Sequence, residues 1–487
     1  MSVHYSCVDS TRIHAYGEIP IQPNPTLTRA IRELLAISGV SSLLEQIEMT
    51  DQGRALETRF RVAEAATAAL AAGGAIAASL MGNHRTRIST RAAEASLMSY
   101  HFLRYHDSVK APPERTAQQT RPIGGFMQTG DGRWMYMHPG FPHNTEALMQ
   151  ILGNPKDRPA AQRALEKRTA PDLEKEIWTK GLCSAMVRSP SEWDESTHCQ
   201  FLSCRPVVDI IQIGDADPIG PKTSQGRPLN GFRVLDLTRV LAGPTCARTL
   251  ASYGAETLRI GAEHLPSVPM FVTDTGHGKR TAFLNLQDKK PRDQLNKLLS
   301  EAHVFSQGYR TGAMERLGFG LNEVAQKRPG IVYVSINCYG HEGPMRKIPG
   351  WEQLAQTVSG MAFEHGRHVN KGTPLLQPAA VTDYTTGYLA ALGTLTALKR
   401  QREFGGTYWV RVSLTRTAMW LRSLGLRDNT HNEPIGSKEQ KKLTMSSETS
   451  WGKITHLAPA VAIDGTEVTW KQPSMPLGQS NAEWQTN

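Results

Sequence analysis

The sequence predicts an α/β protein: a doubly wound parallel (Rossmann-like) sheet with a smaller α+β domain attached. Short apolar runs alternate with helical segments through the middle third of the chain, and those segments are long enough to act as crossovers. A Gly/Pro-rich stretch, Gly214 to Gly231, divides the chain as a domain junction would. Strands separated by helices of this length imply right-handed βαβ units, and so parallel pairing.

Taken in order, RVLDL (233–237) reads as a strand, CARTLASYGA (246–255) as a helix and ETLRI (256–260) as the next strand. LNKLLSEA (295–302) is a helix leading into HVFSQGY (303–309). GIVYVSI (330–336) has the β-branched character of a strand buried on both faces. YLAALGTLTALKR (388–400) is a small-residue helix, followed by the basic, glycine-containing link QREFGGTYW and the strand-like VRVSL (410–414). Ligands of such sheets sit at the carboxyl ends of the strands. That edge carries Thr238-Arg239-Val240 after one strand and Asn337-Cys338-Tyr339-Gly340 after another.

Composition narrows the function. A chain of 487 residues with 39% hydrophobic and 21% charged residues is a soluble globular protein of two or three domains. The net charge of +10 suits anionic partners, but the basic residues are scattered and no nucleic-acid motif is present. The six cysteines lack paired zinc spacing; His198-Cys199 with Cys204 has no second ligand pair, so no metal is expected and the thiols read as reduced. The N-terminus has no apolar signal core and the tail WQTN matches no C-terminal address, which predicts a cytoplasmic protein. AATAALAAGGAIAASLM (65–81) is short for a membrane span and rich in Ala and Gly. It predicts a buried helix packed closely through small residues, and no membrane association.

Asp383, in VTDYTTG (381–387), opens the helix-like run at 388–400. Free N–H groups and the positive dipole end favour an ionised carboxylate there, and an ionised carboxylate can attack an activated acyl group. Capping is the commoner role for an acid in that place.

Six blocks stand in order before it: RVLDLTRVLAGP (233–244), LASYGAETLRI (250–260), GKRTAFLNL (278–286), QGYRTGAMERLGFG (307–320), RPGIVYVSINCYGHEGP (328–344) and GWEQLAQTVSG (350–360). With these, residues 231–425 resemble the class III CoA-transferase family (the CaiB–BaiF family). The resemblance implies the class III CoA-transferase fold. It also implies coenzyme A as a substrate with no permanently bound cofactor, and an acyl-CoA and a carboxylic acid acceptor as partners. In the family the aspartate matching Asp383 is catalytic, and Glu352 is the second acidic candidate. Lys279, Arg280 and Arg316 match CoA-binding cations, while Leu241, Ala242 and Gly243 would line the pantetheine path through backbone groups. Trp351 and Gln356 fall in the substrate pocket. Family members are interlocked dimers, so a homodimer is implied.

The departures are informative. Formyl-CoA transferases have Gln in place of Leu241, the family's basic-acidic pair after ETLRI is replaced by Gly261-Ala262, and the glycine-rich loop of oxalate-type enzymes has only Gly124-Gly125 as a stand-in. These count against oxalate or formate specificity. α-Methylacyl-CoA racemases have His where Trp351 stands, and an indole cannot carry a proton. The transferase reading therefore leads and a racemase follows, with His341, His365 and His368 as its candidate second bases. A non-catalytic CoA-binding relative is the third reading.

An internal echo sets the domains. Residues 69–97 parallel 388–421, and GDGRWMYMHPGF (130–141) and SPSEWDESTHCQ (189–200) resemble the later part of the family. Residues 1–215 thus read as the back part of one module, 226–430 as the front part of another, and 431–487 as a C-terminal extension. The alignment sets Ala65 opposite Asp383, with Glu64 nearby, which predicts a single active site. GDADP (214–218) precedes a strand-rich segment rather than opening a helix, so it reads as turn.

Overall fold

The computed structural model describes residues 24–485 apart from 52, 83, 108–121 and 222–225. The N-terminal segment with Cys7, part of the 214–231 linker and the last two residues of the WQTN tail lie outside the described residues.

The core is a seven-stranded sheet in the order Lys279–Phe283, Glu256–Gly261, Arg233–Leu237, Val304–Gln307, Val332–Asn337, Thr407–Ser413, Asp209–Gly214. Six of these pair in parallel, and Asp209–Gly214 closes one edge antiparallel to Thr407–Ser413. The chain starts at the Arg233 strand, winds outward to the Lys279 edge, then returns to fill the other side. The winding therefore reverses between the Arg233 and Val304 strands, where a doubly wound sheet opens a crevice at its carboxyl edge.

Successive strand residues supply opposite faces. Val234, Val304, Val332 and Val334 pack on one side against the helices Ala242–Ser252 and Val381–Phe404, in a core that also takes in Val62–Ser79. Leu235, Phe305 and Tyr333 pack on the other against Lys289–Leu299 and Leu321–Lys327. Val381–Phe404 is buried on every side from Val381 to Leu398, which its Gly and Ala residues make possible. A Cβ at Gly387 would lie 2.6 Å from the Ala242 carbonyl oxygen and 2.7 Å from Thr245 Cβ. Glycine alone permits that approach to the Ala242–Ser252 helix.

The alanine-rich run forms the helix Val62–Ser79. It is long and apolar enough to cross a membrane, but 94% of it is buried inside the protein. At Gly74 a side chain would meet Val461 at 2.7 Å and Thr86 at 2.8 Å, so small residues seat this helix between neighbours as the composition predicts.

The smaller α+β unit comes from the first half of the chain. Strands Gly125–Gln128, Trp134–Met137 and Ser184–Met186 form an antiparallel sheet covered by Pro142–Ile151, Arg158–Leu165 and Ala170–Thr179. The C-terminal extension is woven into the fold. Its hairpin Thr444–Thr449/Gly452–Leu457 pairs with Arg104–Tyr105, and Val461–Ile463 joins Thr86–Ser89. The tail then lies along the Lys279 edge strand, with bonds of 2.7 Å from Gly278 N–H to Gln472 O and from Ser480 N–H to Thr281 O. An otherwise open sheet edge is thereby covered.

Candidate active site

Asp383 is the third residue of the helix Val381–Phe404, whose N-cap is Ala380 with no side-chain cap. The carboxylate therefore does not serve as the cap. Spacing of four residues sets Asp383 on the same helix face as Gly387, one turn nearer the N-terminus. Because Gly387 touches Ala242, Asp383 lies toward the start of the Ala242–Ser252 helix. The loop feeding that start holds Val240 at φ +67°, a costly conformation for a β-branched residue and one that concentrates at functional sites. Leu241 is the N-cap residue, again without a side-chain cap. The backbone N–H groups of Ala242 and Gly243 thus head an uncapped helix N-terminus at the carboxyl edge of the sheet.

Glu352 opens the helix Glu352–Val358 and is 5% exposed, so it is not a solvated charge. Its Oε1 accepts from the Thr382 N–H at 3.4 Å, from the Thr382 hydroxyl at 3.1 Å and from Gln356 Nε2. Gln356 in turn accepts from the Gln377 N–H at 2.8 Å, and Gln377 Oε1 accepts from the Thr58 hydroxyl at 2.6 Å. Gln356 is fully buried and is tied to Glu352 by these contacts.

Burial, and then the charge of Glu352, push the Asp383 carboxyl well above the usual carboxylate range. Burial raises Glu352 to about 7, opposed by its donors Gln356 and Thr382. The expectation of an Asp383 held ionised by the helix start is thus overturned: desolvation and a like charge outweigh the dipole. Two carboxyls so coupled titrate as a pair.

The remaining walls come from the first half of the chain. Tyr100 stacks on Tyr384 at 6.3 Å and 17°, and its phenol is raised to about 12 by burial, Glu352 and Asp383. Trp351 stacks on His138 at 4.7 Å and 25°, and meets Phe141 edge-on at 5.1 Å. Arg239 lies 4.8 Å above the Phe141 ring and donates to the Pro266 carbonyl. Behind the helix, the Tyr384 hydroxyl donates to Asp274 at 2.8 Å, and Arg248 pairs with the same carboxylate at 3.1 Å.

The predicted CoA cations part company. Lys279 is fully buried; its Nζ donates to Asp236 and to the Pro244 carbonyl, both at 2.8 Å. Burial lowers its pKa to about 8 against the pull of Asp236. It holds the sheet to the Ala242 helix and does not face a phosphate. Arg280 is engaged by the tail, donating to the Glu483 carbonyl at 2.7 Å and the Asn481 carbonyl at 3.3 Å. Arg316 alone of the three is exposed, at the end of the short helix Ala313–Arg316.

Gly124-Gly125 leads into the first strand of the small sheet. His341 bonds the Ser335 hydroxyl at 2.8 Å, and burial lowers it to about 3; His368 bonds Glu364 at 2.8 Å beside a buried His365. His138 stacks on Trp351, the residue before Glu352. Sequence reasoning missed Tyr100, His138, Phe141 and Thr382. The aromatic alternation of WMYM followed by Phe141 is the one signal that could have raised the small sheet.

The sequence profile of CoA-transferase family III matches residues 33–217 and 229–449. The chain belongs to CoA-transferase family III. An acyl-CoA transferase of Gibberella moniliformis is 31% identical to this member of family III over 355 residues, 68% of this chain and 61% of the relative. The succinyl-CoA–L-malate CoA-transferase beta subunit of Chloroflexus aurantiacus is 31% identical over 208 residues, 39% of this chain and 50% of the relative. The chain thus spans 50–61% of the length of these curated members of the family. A crystal structure of a Mycobacterium tuberculosis protein matches with TM-score 0.38 and 28% identity, covering 41% of this chain and 58% of that one. Among the described residues no cluster of metal-ligating side chains occurs, and Cys183, Cys199, Cys204, Cys246 and Cys338 are unpaired.

Proposed function

We propose that this chain transfers coenzyme A between an acyl-CoA and a carboxylic acid, with Asp383 as nucleophile. The observation that carries this is a buried carboxylate with no salt-bridge partner among the described residues, beside an uncapped helix start and a second buried carboxyl. An acid kept out of water without a salt bridge costs stability, and such groups concentrate at functional sites.

Burial and the Glu352 charge hold the shared proton on Asp383; attack draws on the form in which that proton has passed to Glu352 and Asp383 is the anion. Asp383 attacks the thioester carbonyl and the C–S bond breaks, giving an aspartyl mixed anhydride and CoA thiolate. The thiolate attacks the aspartyl carbonyl, releasing the first acid and leaving an aspartyl-CoA thioester. The acceptor carboxylate attacks that thioester, and the returning thiolate takes the acceptor's acyl group and frees Asp383. Each step exchanges one acyl bond for another, so two easier steps replace one difficult one. In this reading the N–H groups at Ala242 and Gly243 would stabilise oxyanion charge, and the exposed Arg316 would meet a CoA phosphate.

Residues from 1–215 wall a nucleophile carried by 226–430, so the rearranged chain would close one site by itself. Mass spectrometry of the Asp383 peptide after incubation with acyl-CoA tests the mechanism. A CoA or hydroxylamine-trapped adduct on Asp383 is expected; CoA exchange without any adduct there rules the covalent route out.

A further inference from the structure

We infer that the acid exchanged at Asp383 is a large apolar monocarboxylate carrying a planar aromatic group, and that dicarboxylates are poor partners. This rests on the transferase reading and names its substrate class. Five rings form an unbroken series along one wall. Phe126 meets Tyr136 at 4.9 Å, Tyr136 meets His138 at 5.9 Å, His138 stacks on Trp351 at 4.7 Å, and Trp351 meets Phe141 at 5.1 Å.

The series is anchored at both ends of the reacting centre. Trp351 immediately precedes Glu352, and Phe141 lies against Arg239, in the loop that leads to Ala242. Four of the five rings (Phe126, Tyr136, Phe141 and Trp351) are only half-buried. Their open faces and edges suit offset-stacked or edge-to-face contact with a further ring.

Charge excludes the alternative. Neither Asp383 nor Glu352 is paired with a lysine or arginine among the described residues, and each is raised by burial. A second carboxylate on the substrate would add another negative group to this desolvated place with no counter-ion. Arg239, the cation that touches the wall, is stacked on Phe141 and gives a donor to Pro266.

The test is calorimetric titration of the full chain, in the presence of CoA, with 3-phenylpropanoate, octanoate and succinate, alongside transfer assays to the same acids. Phenylpropanoate is expected to bind at least tenfold more tightly than either competitor. Trp351→Leu and Phe141→Leu should each weaken it about tenfold. Equal binding of phenylpropanoate and succinate, octanoate binding as tightly as phenylpropanoate, no binding of any acid, or wild-type affinity in both variants overturns the inference. Trp351-dependent binding of phenylpropanoate without CoA transfer to any acid would uphold the aromatic pocket and sink the transferase reading. Preferred transfer to succinate would do the reverse.

Discussion

The Thr382 hydroxyl donates to Glu352 Oε1 at 3.1 Å, so the residue before Asp383 is tied to the second buried carboxyl. The two acids therefore cannot move apart without breaking the bonds from Thr382 to Glu352. Their coupling is built into the backbone.

Asp383→Asn removes the nucleophile while keeping the size of the side chain. Turnover should fall by more than about 10³-fold, with acyl-CoA affinity nearly unchanged. Steady-state transfer and equilibrium binding of CoA check this, and an Asn variant with wild-type turnover would end the assignment.

The carboxyl pair predicts a rising acid limb. Transfer needs the pair to have lost a proton, so activity should climb as pH rises through the pair's apparent pKa, which burial has raised. Glu352→Gln deletes the like charge and should move that limb to lower pH, as a kcat/KM–pH profile would show.

The same pair makes stability fall with pH. Glu352 binds its proton more tightly when folded, with its pKa raised from 4.5 to about 7. Its contribution is intact below the unfolded value and is lost as pH rises toward 7, by ~3 kcal/mol at most. Urea unfolding of the Glu352→Gln variant should show a flatter profile between these limits.

Lys279→Ala should act on folding instead of on CoA. It leaves Asp236 buried without its cation, a loss on the order of 3–5 kcal/mol. Denaturant midpoints measure it; a variant of native stability with a raised KM for acyl-CoA would restore the phosphate role.

Gly387→Val tests the approach that places Asp383. The added carbons would meet Ala242 O at 2.6 Å and push the two helices apart, costing roughly 1–3 kcal/mol. Turnover should fall further than stability accounts for, as comparison of activity per folded molecule would reveal.

Much of this protein was legible in the chain. Short, β-branched apolar runs such as RVLDL and GIVYVSI, set between helical segments, determine strands, and crossover length determines that they run parallel. The block order pointed to Asp383 and Glu352, because residues that must meet at a sheet's carboxyl edge lie just past strand ends or at helix starts. Protonation was not legible. A helix start argues for an ionised Asp383, but only the tertiary structure shows the burial and the Glu352 charge that reverse this. Nor can sequence tell a phosphate-binding lysine from a buried one; Lys279 and Arg280 stand side by side, and strand alternation together with the covering tail decides what each meets. The walls from Tyr100, His138 and Phe141 were beyond reach for a related reason. They lie more than 200 residues from the carboxylates they face, and contacts at that separation are set by how layers pack, not by any local pattern.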